Sequence, residues 1–217
     1  MEILCELNAA NEVGGDLYDY LDIDENHVAV LIGDVSGKGV PAAMFMMKTI
    51  TAFRAFATKE KSPAEILKEV NDAIHDGNKS FLFVTCLLAI LDKRDGKLVY
   101  ANAGHNPPVI GQTGNYRYLK CESGLVLGCM ETTFVEDEEL YLKPGESITL
   151  YTDGITEARN PEGDFFGEER FLALMNDREY ASVSEIYQAI KDGIAEFVSD
   201  APQSDDITFL TMKYLGR

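Results

Sequence analysis

The chain has 217 residues, enough for one domain with a full core, and 46% hydrophobic with 26% charged residues is globular composition, not that of a disordered chain. Asp and Glu number 37 against 19 Lys and Arg, a formal net charge of −18, so neither nucleic acid nor an anionic membrane surface is an expected partner, since both call for a basic face. No apolar run approaches the ~20 residues that span a bilayer, no basic segment leads into an apolar one at the N-terminus, and Cys5, Cys86, Cys121 and Cys129 lack CxxC spacing; the expected compartment is reducing cytoplasm.

In chain order, residues 3–8 read as a first strand. A motif this near Met1 suggests an excised catalytic domain or a very compact protein. Runs at 17–23 and 27–32, joined by the acidic turn Asp24-Glu25-Asn26, read as a β-hairpin. Gly37-Lys38-Gly39-Val40-Pro41 then leads into a helix whose Val40, Met44, Met47, Thr51 and Arg54 recur at helical spacing, with Ala43, Ile50 and Phe53 widening the stripe; this stripe is expected to pack into the core. Ser62-Pro63-Ala64-Glu65 has capping-box spacing and opens a second helix with Ile66, Leu67, Val70, Ala73 and Ile74 on its apolar face, stopped at Gly77.

Further strands are expected within 81–91 and 97–102, across an Asp95-Gly96 turn, and near 109–110, 116–119 and 134–142; Pro144-Gly145 turns the chain into 147–151. A short helix near 168–175, a longer one over 182–198 opened by Ser182 and Glu185 and lined by Ile186, Ile190, Ile194 and Phe197, and a last strand at 207–214 complete the chain. Clustered antiparallel strands with paired helices give an α+β class and, with no repeat or long linker, a single domain over 1–217.

Four acidic motifs fall at strand ends. Asp16 opens the first strand of the hairpin and Asp34 closes the second, so antiparallel pairing sets them side by side, away from the turn. Asp153 follows the run 147–151 and Asp205 precedes 207–214, and pairing of those two strands would do the same. Two like charges near 4 Å repel by roughly 4 kcal/mol at an effective dielectric of about 20. Such a nest needs protons, separation or cations, and divalent metal is the natural answer. The Gly-rich turn at 33–39 is not a phosphate-binding loop, because three residues, not four, precede Gly37-Lys38 and no Ser or Thr follows. Ser36 lacks the frame of a nucleophile elbow, and Asp22, Asp24 and Glu25 lack the Gly and terminal Glu of an EF-hand. That turn instead aims the Asp34 carboxylate and the Val35 carbonyl at one point, an oxygen set suited to Mg²⁺ or Mn²⁺.

Five ordered motifs carry a resemblance: Val13-Gly14-Gly15-Asp16-Leu17-Tyr18-Asp19, Ile32-Gly33-Asp34-Val35-Ser36-Gly37-Lys38-Gly39, Ala101-Asn102-Ala103-Gly104-His105-Asn106-Pro107-Pro108, Tyr151-Thr152-Asp153-Gly154-Ile155-Thr156-Glu157 and Ser204-Asp205-Asp206-Ile207-Thr208. In this order, over about 8–214, the chain resembles the bacterial SpoIIE/RsbU branch of the metal-dependent protein phosphatases, the protein phosphatase 2C superfamily. The resemblance implies two stacked antiparallel β-sheets flanked by helix pairs, a four-layer α-β-β-α sandwich, with two Mn²⁺ or Mg²⁺ ions at one edge. By motif position Asp34 would bridge the ions, the Val35 carbonyl would ligate one, and Asp153 and Asp205 would complete the other's shell. Asp16 would hold metal-bound waters, and Asp206 would support the metal ligands from behind. Ions about 3.5–4 Å apart would acidify a shared water for in-line attack on phosphorus. The implied substrate is a phosphorylated STAS-type anti-sigma-factor antagonist, and the implied control is an upstream sensory module or activator acting through helices at 40–59 and 63–76.

Two positions depart from eukaryotic relatives: Asn11 stands where they have an arginine and Ser36 where they have a histidine, so phosphate grip and leaving-group protonation have no assigned residue. Lys38 is expected to be a solvated lysine at the helix entry, and His105 to stabilise its turn through backbone bonds. Two other functions compete: a non-catalytic binding domain on the same fold, and a hydrolase of small phosphomonoesters. Retention of all four aspartates disfavours the first, and pocket shape decides the second.

Overall fold

The computed structural model describes residues 1–112 and 114–216. Its strands are β1 (Glu2–Asn8), β2 (Asp16–Asp22), β3 (His27–Val35), β4 (Val84–Asp92), β5 (Lys97–Ala103), β6 (Val109–Gly111), β7 (Arg117–Tyr118), β8 (Glu138–Tyr141), β9 (Ser147–Tyr151) and β10 (Ile207–Lys213). They form two five-stranded sheets, ordered β1-β10-β9-β6-β7 and β2-β3-β4-β5-β8, with antiparallel neighbours throughout. The helices are α1 (Val40–Phe56), α2 (Pro63–His75), α3 (Asp153–Thr156), α4 (Gly167–Asn176) and α5 (Val183–Val198).

Strand alternation divides the apolar residues among three cores. Leu17, Ala29 and Leu31 face α1 and α2, where Phe53, Ile66 and Val70 are buried. Val28, Val30 and Ile32 point the other way, against Ile148, Leu150, Leu210 and Met212 of the second sheet. Tyr151 and Phe209 turn outward under Phe171, Ile186 and Ile190 of α4 and α5. The result is the expected α-β-β-α sandwich. Period-two patterning on two-sided strands is what fills the inner and both outer layers.

The hairpin forms as expected, and Asp24 is spent on its turn: its carboxylate accepts from the Asn26 and His27 backbone and from the His27 ring. Ser62 and Glu65 exchange both bonds of a capping box. At α5, Ser182 accepts from Glu185 N, whereas the Glu185 carboxylate reaches Ala181 N, one residue further out than a box requires. A short helix, α3, follows β9 directly and begins at Asp153 itself.

The centre of the stripe expected to bury α1 faces solvent instead, and of its flank Phe53 is buried and Ile50 packs partly against the core. Val40, Met44 and Met47 are 63%, 70% and 55% exposed, while Ala42, Phe45, Thr49, Ala52 and Phe53 form the buried face. On that face Phe45 and Phe53 fill the space over the sheet while small Ala42, Thr49 and Ala52 leave room between them, a close-packed arrangement. Arg54 also points outward and makes a bidentate pair with the buried Asp19 of β2, at 2.6 and 2.7 Å, tying the end of α1 to the sheet.

Candidate active site

Asp16 and Asp34 are direct cross-strand partners at the open end of the β2–β3 hairpin. Their parity is that of Tyr18, Val30 and Ile32, so both lie on the face turned toward the other sheet. In that sheet β9 and β10 pair with Tyr151 opposite Phe209, which brings Thr152 and Asp153 to the same end as Asp205 and Asp206. The sheets meet there: Thr152 Oγ1 donates to Asp16 Oδ2 at 2.8 Å. All four predicted aspartates therefore gather at one edge of the sandwich, as two pairs more than a hundred residues apart in the chain.

The backbone there is arranged around carboxylates. A side chain on Gly15 would press on the Val35 carbonyl, with Asp34 Oδ1 close behind. Gly37 and Gly39 adopt φ of 89° and 75°, the left-handed region that glycine tolerates, and so turn the chain from β3 into α1 beside Asp34. Asp34, Asp205 and Asp206 line a narrow hollow of about 10 Å³ with Asn11, Gly15 and Lys38. Asp16 is buried beneath it, and Asp153 lies outside that lining but close enough to act on Asp34 as a charge.

Electrostatics mark the cluster as short of positive charge. Burial, then the charges of Asp34 and Asp206, push Asp16 well above the usual carboxylate range, against the donated Thr152 bond. Burial, then Asp153, Asp205 and Asp206, do the same to Asp34. Asp153 is raised by burial and by Glu157 and Asp205. The donor set is all hard oxygen, so it fits a divalent ion of the Mg²⁺ or Mn²⁺ type. Among the described residues, no three His, Cys, Asp or Glu side chains are already drawn together to hold one ion.

Three residues do more than sequence reasoning gave them. Lys38 is half-exposed yet engaged, its ammonium donating to Asp205 Oδ2 and Ser204 O at 3.1 Å each. Asp206 spends its carboxylate on backbone: Oδ1 accepts from Ala10 N, and Oδ2 from Gly15 N and, at 3.4 Å, Asp16 N. It thus pins the loop that delivers Asp16. Thr152 continues the inward alternation of Ile148 and Leu150, and that parity is the signal by which it could have been found. Ser36 is tied down, its hydroxyl accepting from Phe83 N at 3.0 Å.

His105 is buried between the sheets. Its Nε2 donates to Tyr151 O at 3.1 Å, which leaves Nδ1 to accept from Thr85 Oγ1 at 3.0 Å. Burial pushes its pKa down to about 4, so it is neutral around pH 7. Backbone anchoring, as expected for its turn, is what the histidine provides. The four cysteines are free. Among the described residues no helix is long and apolar enough to cross a membrane.

Comparison with known proteins agrees with this geometry. The family model described as Stage II sporulation protein E (SpoIIE) matches residues 24–215. Protein IcfG of Synechocystis is 29% identical over 94% of this chain and 36% of its own length. Phosphoserine phosphatase RsbU of Bacillus subtilis is 28% identical over 94% of this chain and 60% of its own. The chain thus spans from about a third to three fifths of the curated relatives it matches. Among solved structures, the SiaA-PP2C domain of Pseudomonas aeruginosa superposes with a TM-score of 0.87 at 25% identity, covering 98% of this chain and 85% of that one. With its motifs, sandwich and acidic edge all in place, the chain belongs to the SpoIIE family and has the fold of a PP2C-type phosphatase domain.

Proposed function

We propose that this chain is a metal-dependent protein serine/threonine phosphatase acting on a phosphorylated STAS-type regulatory protein of a sigma-factor pathway. The observation that carries the reading is the gathering of Asp16, Asp34, Asp153 and Asp205 at one sheet edge, with Lys38 the sole cation lining the hollow among the described residues. Asp34, Asp153, Asp205 and the Val35 carbonyl would hold two Mn²⁺ or Mg²⁺ ions. When bound, the ions would supply a water acidified to near neutral pH and positive charge against the phosphoryl oxygens.

The chain's own groups set the stage for that chemistry. Thr152 fixes the orientation of Asp16, which would hold metal-bound water. Asp206 keeps the Asp16 loop in place through its backbone bonds, a role behind the ligands rather than among them. Lys38 orients Asp205 and lies at the rim, where a phosphoryl group would pass. Neither Ser36 nor Cys86 presents an activated nucleophile: the Ser36 hydroxyl is held by Phe83 N, and burial raises the Cys86 thiol to about 12. Direct attack by water is therefore the route that fits these residues. A sensory module or activator is favoured by the exposed Val40, Met44 and Met47 on α1, whose other face packs on the sheet that carries Asp34.

The test pairs two substrates with one variant. The chain is incubated with Mn²⁺ and either a serine-phosphorylated STAS protein or p-nitrophenyl phosphate, beside Asp34→Ala. The expected result is turnover of the phosphoprotein, lost by more than about a hundredfold in the variant, with its circular dichroism unchanged. Turnover of the small ester alone would point to a phosphomonoester hydrolase. Turnover of neither, with metal uptake verified, would leave a binding domain.

A further inference from the structure

A larger cleft, of about 320 Å³, opens directly beside the acidic hollow. Asp205 belongs to both, and Gly154, next to Asp153, lines the cleft. The cleft runs between α5 and the ends of β1 and β10. Ile194, Ala195 and Val198 of α5 form one wall, and Phe209 and Ala158 contribute apolar surface.

The charges along it do not cancel evenly. Lys191 is taken by Glu6, whose Oε1 accepts from Nζ at 3.0 Å, and by the Tyr187 hydroxyl at 3.1 Å. Asp205 is taken by Lys38. Arg159 is left over. Among the described residues no carboxylate pairs with it, and its guanidinium lies over the Phe165 ring at 4.3 Å. Stacking holds the planar group in place while its N–H donors stay available, the state in which arginine binds carboxylates and carbonyls in bidentate fashion. On a chain of net charge −18, one pre-oriented, unpaired cation in an apolar cleft is a selective feature.

We infer that this cleft binds the polypeptide flanking the phosphoserine of the protein substrate, seating an apolar side chain against Ile194 and Val198 and an acidic neighbour on Arg159. The inference rests on the phosphatase reading and adds to it a substrate class: phosphosites with an apolar and an acidic residue nearby. Continuity through Asp205 decides the occupant, because a peptide whose phosphate is presented at the mouth of the hollow must leave along an adjoining groove. Arg159 is then a specificity-determining residue that leaves the chemistry untouched.

The probes are a synthetic phosphoserine peptide with leucine and glutamate beside the phosphoserine, the same peptide with both replaced by alanine, and p-nitrophenyl phosphate. The full chain is compared with Arg159→Ala and with Ala195→Phe, which fills the cleft from an exposed position on α5. The parent should prefer the first peptide by about tenfold in kcat/KM, the size of one hydrogen-bonded charge contact. Both variants should lose that preference and keep p-nitrophenyl phosphate turnover within about twofold. Retained preference in both variants, or ester turnover falling in step with peptide turnover, overturns the assignment. A parent that cleaves the ester with no peptide preference refutes the cleft alone; a parent that cleaves nothing refutes the phosphatase reading and the cleft with it.

Discussion

Beside four carboxylates, a histidine is the residue first suspected of moving protons, yet His105 is a strut. It joins Thr85, opposite Asp34 on β4, to Tyr151, two residues before Asp153. Its folded pKa, about 4, lies below the ordinary 6.5, so the unfolded chain takes up a proton that the folded one refuses. Stability from this group is intact above 6.5 and is lost as pH falls toward 4, by about 3 kcal/mol in all. Urea unfolding of His105→Gln should show a shallower decline across that window than the parent; an identical slope would mean that the ring is not what resists protonation. Asp206 allows a second measurement. Asp206→Asn places an amide against backbone N–H groups and should lower unfolding stability by about 1–3 kcal/mol. Because the same bonds pin the Asp16 loop, turnover should fall as well, and a stable but inactive variant would make Asp206 a ligand instead.

At the scale of elements, α1 depends on its outer end. Arg54 holds the buried Asp19 through two short bonds, and Arg54→Met would leave that carboxylate without its cation. The expected outcome is a lower Tm and faster hydrogen exchange in α1 than in α5; uniform exchange would show that the helix is held by packing alone. How far the elements were legible depended on what encodes them. The β2–β3 pairing follows from two strand runs joined by the turn Asp24-Glu25-Asn26, so the convergence of Asp16 with Asp34 was legible in the sequence. β9 and β10 are separated by α3, α4 and α5, so that of Asp153 with Asp205 was conditional on a pairing no local pattern records. The orientation of α1 was not legible. The helix is apolar nearly all round, so periodicity offers two faces, and the one that packs on the sheet alternates large Phe45 and Phe53 with small Ala42, Thr49 and Ala52. Nor could the bonds of Lys38 to Asp205, Thr152 to Asp16 and Asp206 to Gly15 be read, since each joins residues more than a hundred positions apart and no local pattern records them.

For the molecule as a whole, the acidic edge is a cost that folding carries without metal. Asp16 and Asp34 titrate above their ordinary 3.8 in the folded state, so their contribution is fully present below that value and is lost as pH rises through the folded range. Metal-free protein should therefore lose stability toward about pH 8, and Mg²⁺ or Mn²⁺ at about a hundred times Kd should return about 2.7 kcal/mol. Thermal melts with and without metal check this, and a Tm equally insensitive to both ions at about pH 8 would argue against a metal-hungry edge. The hairpin that sets Asp16 against Asp34 turns at its far end around the exposed Glu25, just past Asp22, which lies six residue steps from Asp16 along β2. At about 3.4 Å per step that tip stands roughly 20 Å from the acidic edge. A fluorophore or surface tether attached there would report on the molecule as a bystander, leaving the acidic edge undisturbed.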